Sequence, residues 1–228
     1  MAQSFHDRAE AGRLLVEKLA AYAGRRDIFV LALPRGGVPV AFEVATALQA
    51  PLDVFLVRKL GVPGHEELAM GAIASGGVIV RNDEVVSGLG IPSHVLEAVV
   101  AREQQELERR EHVYRGDRPF PDLHGHTVIL VDDGLATGAS MRAAVAALCQ
   151  HQPAYSIVAV PVAAPDVCQT LGAEVDEIIC ARTPEPFYAV GVWYEHFPQT
   201  TDEEVRDLLH RAERQLLQPQ APPEQRPH

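Results

Sequence analysis

Residues 128–140 read Val-Ile-Leu-Val-Asp-Asp-Gly-Leu-Ala-Thr-Gly-Ala-Ser. Four apolar residues without alternation predict a strand buried on both faces, the pattern of a parallel sheet. That strand delivers two adjacent carboxylates, Asp132 and Asp133, to its carboxyl end, the edge at which open α/β sheets bind ligands. The next residues, Ala136, Thr137, Gly138, Ala139 and Ser140, are small or hydroxyl-bearing and lead into an alanine-rich helix over 141–149. Unpaired amides at a helix N-terminus attract phosphate, and small side chains let it come close. Carboxylates hold sugar hydroxyls and repel phosphate. One loop thus offers a hydroxyl end and a phosphate end, and a phosphorylated sugar fits that pairing.

The chain on either side continues an α/β order. Residues 28–33 (IFVLAL) form a second wholly apolar run, ended by Pro34-Arg35-Gly36-Gly37. A helical pattern over 38–49 and a strand-like 53–57 (DVFLV) follow, which predicts a βαβ unit with a parallel sheet. An amphipathic helix is expected over 7–23, on the spacing of Leu14, Leu15, Lys18 and Leu19. The glycine-rich 61–77 reads as a long loop with a hairpin in it, and such loops tend to be functional. Ser93 is placed to cap a long helix to about Tyr114, whose Arg102, Glu106 and Arg110 suggest a solvated face. Strands are expected over 156–162 and 175–180, with a short helix between them. Thr201 and Glu204 make a capping box that opens a last helix to about Leu217. The expected organisation is one α/β domain over 1–217. A tail at 218–228, with four prolines, is expected to be disordered.

Composition narrows the function classes. The 228 residues are 47% hydrophobic and 22% charged, ordinary values for a globular enzyme. No run of about eighteen apolar residues marks a membrane span. The first residues lack the apolar core of a secretory signal, so a cytoplasmic protein is expected. A formal net charge of −11 argues against a general nucleic-acid binder, which needs a basic face. Cys149, Cys168 and Cys180 match no metal-ligand spacing and are expected as buried, reduced thiols. His94, His124 and His151 form no ligand constellation either. Lysine occurs only as Lys18 and Lys59, which singles out Lys59 in the glycine-rich region.

Residues 128–140 resemble the phosphoribosyl pyrophosphate (PRPP) signature of the type I phosphoribosyltransferases. In the order of its elements the chain is similar to bacterial members of that family whose acceptor is unassigned. The resemblance covers roughly residues 28–197. It implies a central, mainly parallel sheet flanked by helices, with a small hood near 183–200, joined by the N-terminus, and a flexible loop or hairpin. It further implies that Asp132 and Asp133 hold the ribose hydroxyls with Mg2+ close by, and that Ala136, Thr137, Gly138, Ala139 and Ser140 cradle the 5-phosphate. Arg35, Gly36 and Gly37 correspond to the pyrophosphate loop, where a non-proline cis peptide is expected. Lys59, with Arg58 beside it, stands in the flexible loop facing the departing pyrophosphate, and His65, Glu66 or Glu67 would handle a proton there. Phe187, Trp193 and Tyr194 would receive the acceptor in the hood, and Glu195 would approach the metal. The implied protein is a Mg2+-dependent homodimer that binds PRPP and a small heterocyclic acceptor of the nucleobase kind.

Departures from the family pattern bear on the acceptor. Ala136 stands where 6-oxopurine enzymes carry an aspartate, and no lysine follows Lys59. Both count against hypoxanthine, guanine and xanthine. Gly134 replaces a branched apolar residue. The alternative reading is a PRPP-sensing regulator with little or no turnover. A response-regulator receiver would need its acids near its own start and a later lysine, and this chain has neither.

Overall fold

The computed structural model describes residues 4–217; the expected tail at 218–228 lies outside them. Five parallel strands run in the order β2-β1-β6-β7-β8: β1 Ile28–Ala32, β2 Leu52–Val54, β6 Thr127–Val131, β7 Tyr155–Val162 and β8 Glu177–Arg182. Every residue of β6 is buried, as an unalternated apolar run on a central strand requires. Alternate side chains serve opposite layers. Val30, Ile129 and Ile157 join one core with Leu15, Val44 and Leu209, from α1 (Arg8–Lys18), α2 (Gly37–Leu48) and α7 (Asp202–Leu217). Leu31, Leu130 and Val158 join the other with Met141, Val145 and Leu148 of α5 (Ala139–Gln150) and Val167 and Leu171 of α6 (Pro165–Leu171). Each large apolar side chain among them contributes roughly 1.5–3 kcal/mol on burial.

The glycine-rich stretch is more ordered than expected. Residues 57–81 form an antiparallel three-stranded meander: β3 Val57–Val62, β4 His65–Ala74 and β5 Val78–Arg81. Small residues had suggested a loop, but Val57, Leu60, Ile73, Val78 and Val80 pack against the two cores and hold the strands. A short α3 (Asp83–Gly88), capped by Asn82, follows. In the long α4 (Ser93–Arg115) the cap is Pro92, and Ser93, the expected cap, is its first helical residue.

One face of α4 is solvated as expected, with Arg102 and Arg110 exposed and Glu106 half-buried; beside it Glu103 is buried against β3, pairing with Arg58 at 2.6 Å. Arg115 at its end is also buried, between Asp53 and Glu111. Cys168 and Cys180 form a disulfide between α6 and β8 rather than standing as buried thiols, and the free Cys149 is exposed. The pair lies 12 positions apart, and neighbouring elements bring the two sulfurs together, which linear spacing does not reveal.

Candidate functional site

Strands β1 and β6 are adjacent and parallel, and they stand where the strand order reverses, so the loops leaving them form one crevice. The β1 loop is Pro34-Arg35-Gly36-Gly37, and its Pro34–Arg35 peptide is cis, as the resemblance implied. It enters α2 at once, with the Leu33 amide donating to the Val131 carbonyl at 2.9 Å. The two loops touch at backbone range. A Cβ on Gly36 would lie 2.1 Å from Asp133 Oδ2, and one on Gly37 would lie 2.7 Å from the Val131 carbonyl oxygen. Only glycine allows that approach.

Asp132 and Asp133 are half-buried at the end of β6. Asp132 Oδ1 accepts the Asp133 amide at 2.8 Å, which fixes its orientation. Burial, with the neighbouring Asp133 charge, pushes the Asp132 carboxyl well above the usual aspartate range. Burial also raises Asp133, opposed by Arg8. The Arg8 Nε donates to Asp133 Oδ2 at 2.8 Å, and its other arm donates to the Pro198 carbonyl at 2.7 Å. The Arg8 guanidinium carbon lies 3.8 Å from the Phe197 ring centre. Sequence reasoning missed Arg8. It is one arginine in the first turn of an ordinary amphipathic helix, and nothing in the linear pattern ties it to residue 133.

The phosphate-like end lies beyond. Leu135 is pinned to the end of β7, its amide donating to the Val162 carbonyl and its carbonyl accepting from Ala164. Gly138 precedes α5 at φ +69°, a left-handed conformation that favours glycine. Ala136, Thr137, Ala139 and Ser140 are exposed, and Gly138 brings no side chain to cap the helix. The departure at Gly134 also has a cause: a Cβ there would lie 2.6 Å from Val190 of the hood. A branched residue would collide with it.

The hood is fastened to the chain's beginning. Phe5 bridges Tyr194 in parallel, and the Glu195 amide donates to the Phe5 carbonyl at 2.8 Å. Tyr194 is buried. Its hydroxyl donates to the Asp133 carbonyl at 2.6 Å, and its ring packs on Phe5 and Phe197. Its faces are therefore occupied, which corrects its expected part as a platform for the acceptor. Phe187 and Trp193 stack on each other at 6.4 Å, and the buried Trp193 indole N–H has no partner among the described residues. Glu195 is exposed and engages His6 at 3.3 Å.

Arg58, Lys59 and Glu66 of the meander line a different cavity from the one that holds Asp133. Lys59 on β3 pairs with Glu67 on β4 at 3.6 Å. Arg58 is committed to Glu103, which removes it from the expected charge set. His65 and Glu66 are exposed at the β3–β4 turn. Arg35 lines the crevice, but its guanidinium reaches Asp202 at 3.6 Å.

Residues 3–170 match the family described as "Phosphoribosyl transferase domain". The Mycobacterium tuberculosis protein named "Putative phosphoribosyl transferase Rv0571c" is 46% identical over 214 residues, which make up 94% of this chain and 48% of that protein. The chain thus spans about half the length of the curated relatives it matches. The "Bifunctional protein PyrR" of Haemophilus influenzae is 32% identical over 119 residues, 46% of this chain and 66% of that protein. Among solved structures, TT1426 from Thermus thermophilus is 44% identical with a TM-score of 0.82, covering 92% of this chain and 99% of that one.

Proposed function

This chain belongs to the phosphoribosyl transferase domain family, and from that premise we propose that it transfers ribose 5-phosphate from PRPP to a nitrogen heterocycle, releasing pyrophosphate. One observation carries the reading: a carboxylate pair and a helix N-terminus preceded by glycine flank the end of a single buried strand, with the Gly36–Gly37 turn against them. Asp132 and Asp133 would take the ribose hydroxyls, and Ala136, Thr137, Gly138, Ala139 and Ser140 the 5-phosphate. Arg35, Gly36 and Gly37 would face the pyrophosphate, Arg35 by charge-assisted hydrogen bonds once it leaves Asp202.

In the reaction the bond from the anomeric carbon to pyrophosphate breaks, and the leaving oxygen keeps the electron pair. The acceptor nitrogen forms the new bond and loses its proton. Lys59 would offset charge on the departing group, and Glu67, freed of Lys59, would take the proton. Phe187 and Trp193 would receive the heterocycle once their mutual stack opens, which would also expose the buried Trp193 N–H as a donor. Positioning and electrostatics, rather than covalent chemistry, supply the rate.

Magnesium suits the donor set. Mg2+ characteristically takes one or two carboxylates and completes its shell with water and substrate oxygens. The described residues hold no cluster of three metal ligands, while Asp132 and Asp133 supply the two. When bound, the ion would neutralise pyrophosphate oxygens. Glu195, engaged by His6, would join only after releasing it. A homodimer is part of the proposal.

A PRPP-sensing regulator is the second reading, favoured by the similarity to a protein named bifunctional. One assay tests both. Pyrophosphate release from PRPP and Mg2+ is measured over adenine, guanine, hypoxanthine, xanthine, uracil, orotate and no base. Base-dependent release identifies the transferase. Silence with a PRPP-induced rise in melting temperature favours the sensor or an acceptor outside the panel, and silence with no such rise removes the PRPP site. The Asp132→Asn/Asp133→Asn variant is expected to stay folded and lose PRPP binding; unchanged binding would remove the site assignment.

A further inference from the structure

Arg35 stands between two cavities. One is the crevice it shares with Gly36, Asp133 and Arg8. The other, about 370 Å³, lies on its far side and is lined by Arg109 and Arg110 of α4, Tyr114, and Asp202 at the start of α7. In a chain of net charge −11, three guanidinium groups meeting at one cavity is a local reversal of sign. The acids beside them do not cancel it. Glu106 accepts from both Arg109 (2.7 Å) and Arg110 (2.8 Å) and lies 4.0 Å from Arg58, so one carboxylate serves three cations. Asp202 lies 3.6 Å from Arg35 and also accepts the Tyr114 hydroxyl at 2.6 Å. Three positive charges thus face two negative ones. Arg109 and Arg110 keep much of their surface exposed, so their remaining N–H groups are open to a ligand.

We infer that this cavity is a second anion site, built for a diphosphate group and coupled to the PRPP crevice through Arg35. The inference deepens the phosphoribosyltransferase reading and rests on it for its biological meaning, though the binding itself does not. A diphosphate is the chemical class that suits three forked donors at one cavity. It could come from two sources: pyrophosphate released in the crevice, or the diphosphate of a nucleotide acting as a regulator. Either would draw Arg35 to the α4 side, away from PRPP, so occupancy and PRPP binding are expected to oppose each other. By linkage the opposition is reciprocal.

The test uses calorimetric titration without Mg2+, with inorganic pyrophosphate and a nucleoside 5′-diphosphate as separate probes. It is run in the Asp132→Asn/Asp133→Asn background, which removes the ribose contacts of PRPP but leaves Arg35, Gly36 and Gly37, so dependence on Arg109 and Arg110 is what assigns binding to the α4 cavity. Binding is expected to persist there and to weaken about tenfold or more when Arg109→Gln and Arg110→Gln are added. Loss confined to pyrophosphate points to the released product, and loss of the nucleotide probe points to a regulator. Affinity for both probes unchanged by Arg109→Gln/Arg110→Gln, with an unaltered melting temperature, would overturn the proposal, as would binding of neither probe. Failure of the parent reading looks different: the native protein would ignore PRPP, while pyrophosphate binding would still depend on Arg109 and Arg110.

Discussion

At the scale of single residues, the site is two carboxylates held against their preference and one arginine that relieves one of them. The raised Asp132 carboxyl makes stability depend on pH. Below the ordinary aspartate range, near roughly 3.9, folded and unfolded chains both carry the proton and nothing is lost. As pH climbs, the unfolded chain ionises first, so the folded state loses stability until Asp132 itself lets go. Asp132→Asn, which can still accept the Asp133 amide, is therefore expected to raise the melting temperature at pH 7 and have little effect below pH 4. Each kcal/mol recovered is worth about 2–4 °C in a domain of this size. Equal melting temperatures at both pH values would show that burial imposes no cost there. Arg8→Gln acts in the opposite direction on Asp133, whose carboxyl is expected to rise further once its counter-charge is gone. PRPP affinity should then fall more at pH 6 than at pH 8. A loss of equal size at both would assign Arg8 to packing alone.

At the scale of elements, the crevice depends on two loops meeting without side chains between them. Gly36→Ala places a methyl within 2.1 Å of Asp133 Oδ2, so either the loop or the carboxylate must move. The expected cost is about 1–3 kcal/mol, read from a urea melt, with PRPP binding weakened in parallel. Native stability and affinity in that variant would mean the close approach is dispensable. The same loops show what was legible in the sequence. The apolar runs leading into residues 34–37 and 132–140 announced strands and their order announced a parallel sheet, while the contact of the two loops at Gly36 and Gly37 became visible only in the structure. The meander was legible only as a hairpin within a loop: Gly61, Gly71, Gly76 and Gly77 hid the extent of strands whose apolar residues have meaning only against the two cores. Tyr194 was not legible. An aromatic in the hood reads as a platform until its hydroxyl is seen on the Asp133 carbonyl.

At the scale of the whole molecule, contacts far apart in sequence finish what the central strands begin. The Cys168–Cys180 bridge fastens α6 to β8, and Val167 of that helix stands behind the turn at Gly138. Reducing conditions are expected to cost about 3 kcal/mol on the chain-entropy account, seen as a lower urea midpoint, and to loosen the phosphate end of the crevice. Identical midpoints with and without reductant would show that the bridge does not form in solution. The pairing of Phe5 with Tyr194 ties the two ends of the fold, and linear reading gave only the hint that the N-terminus joins the hood. It has a consequence for how the protein is made. His6 and its partner Glu195 lie 189 residues apart. At about 5–20 residues per second of synthesis, Arg8 leaves the ribosome roughly 10–40 s before the hood that completes its surroundings. Through that interval Asp133, once made, has no closed hood above it. The crevice is therefore left open until the hood residues have been made.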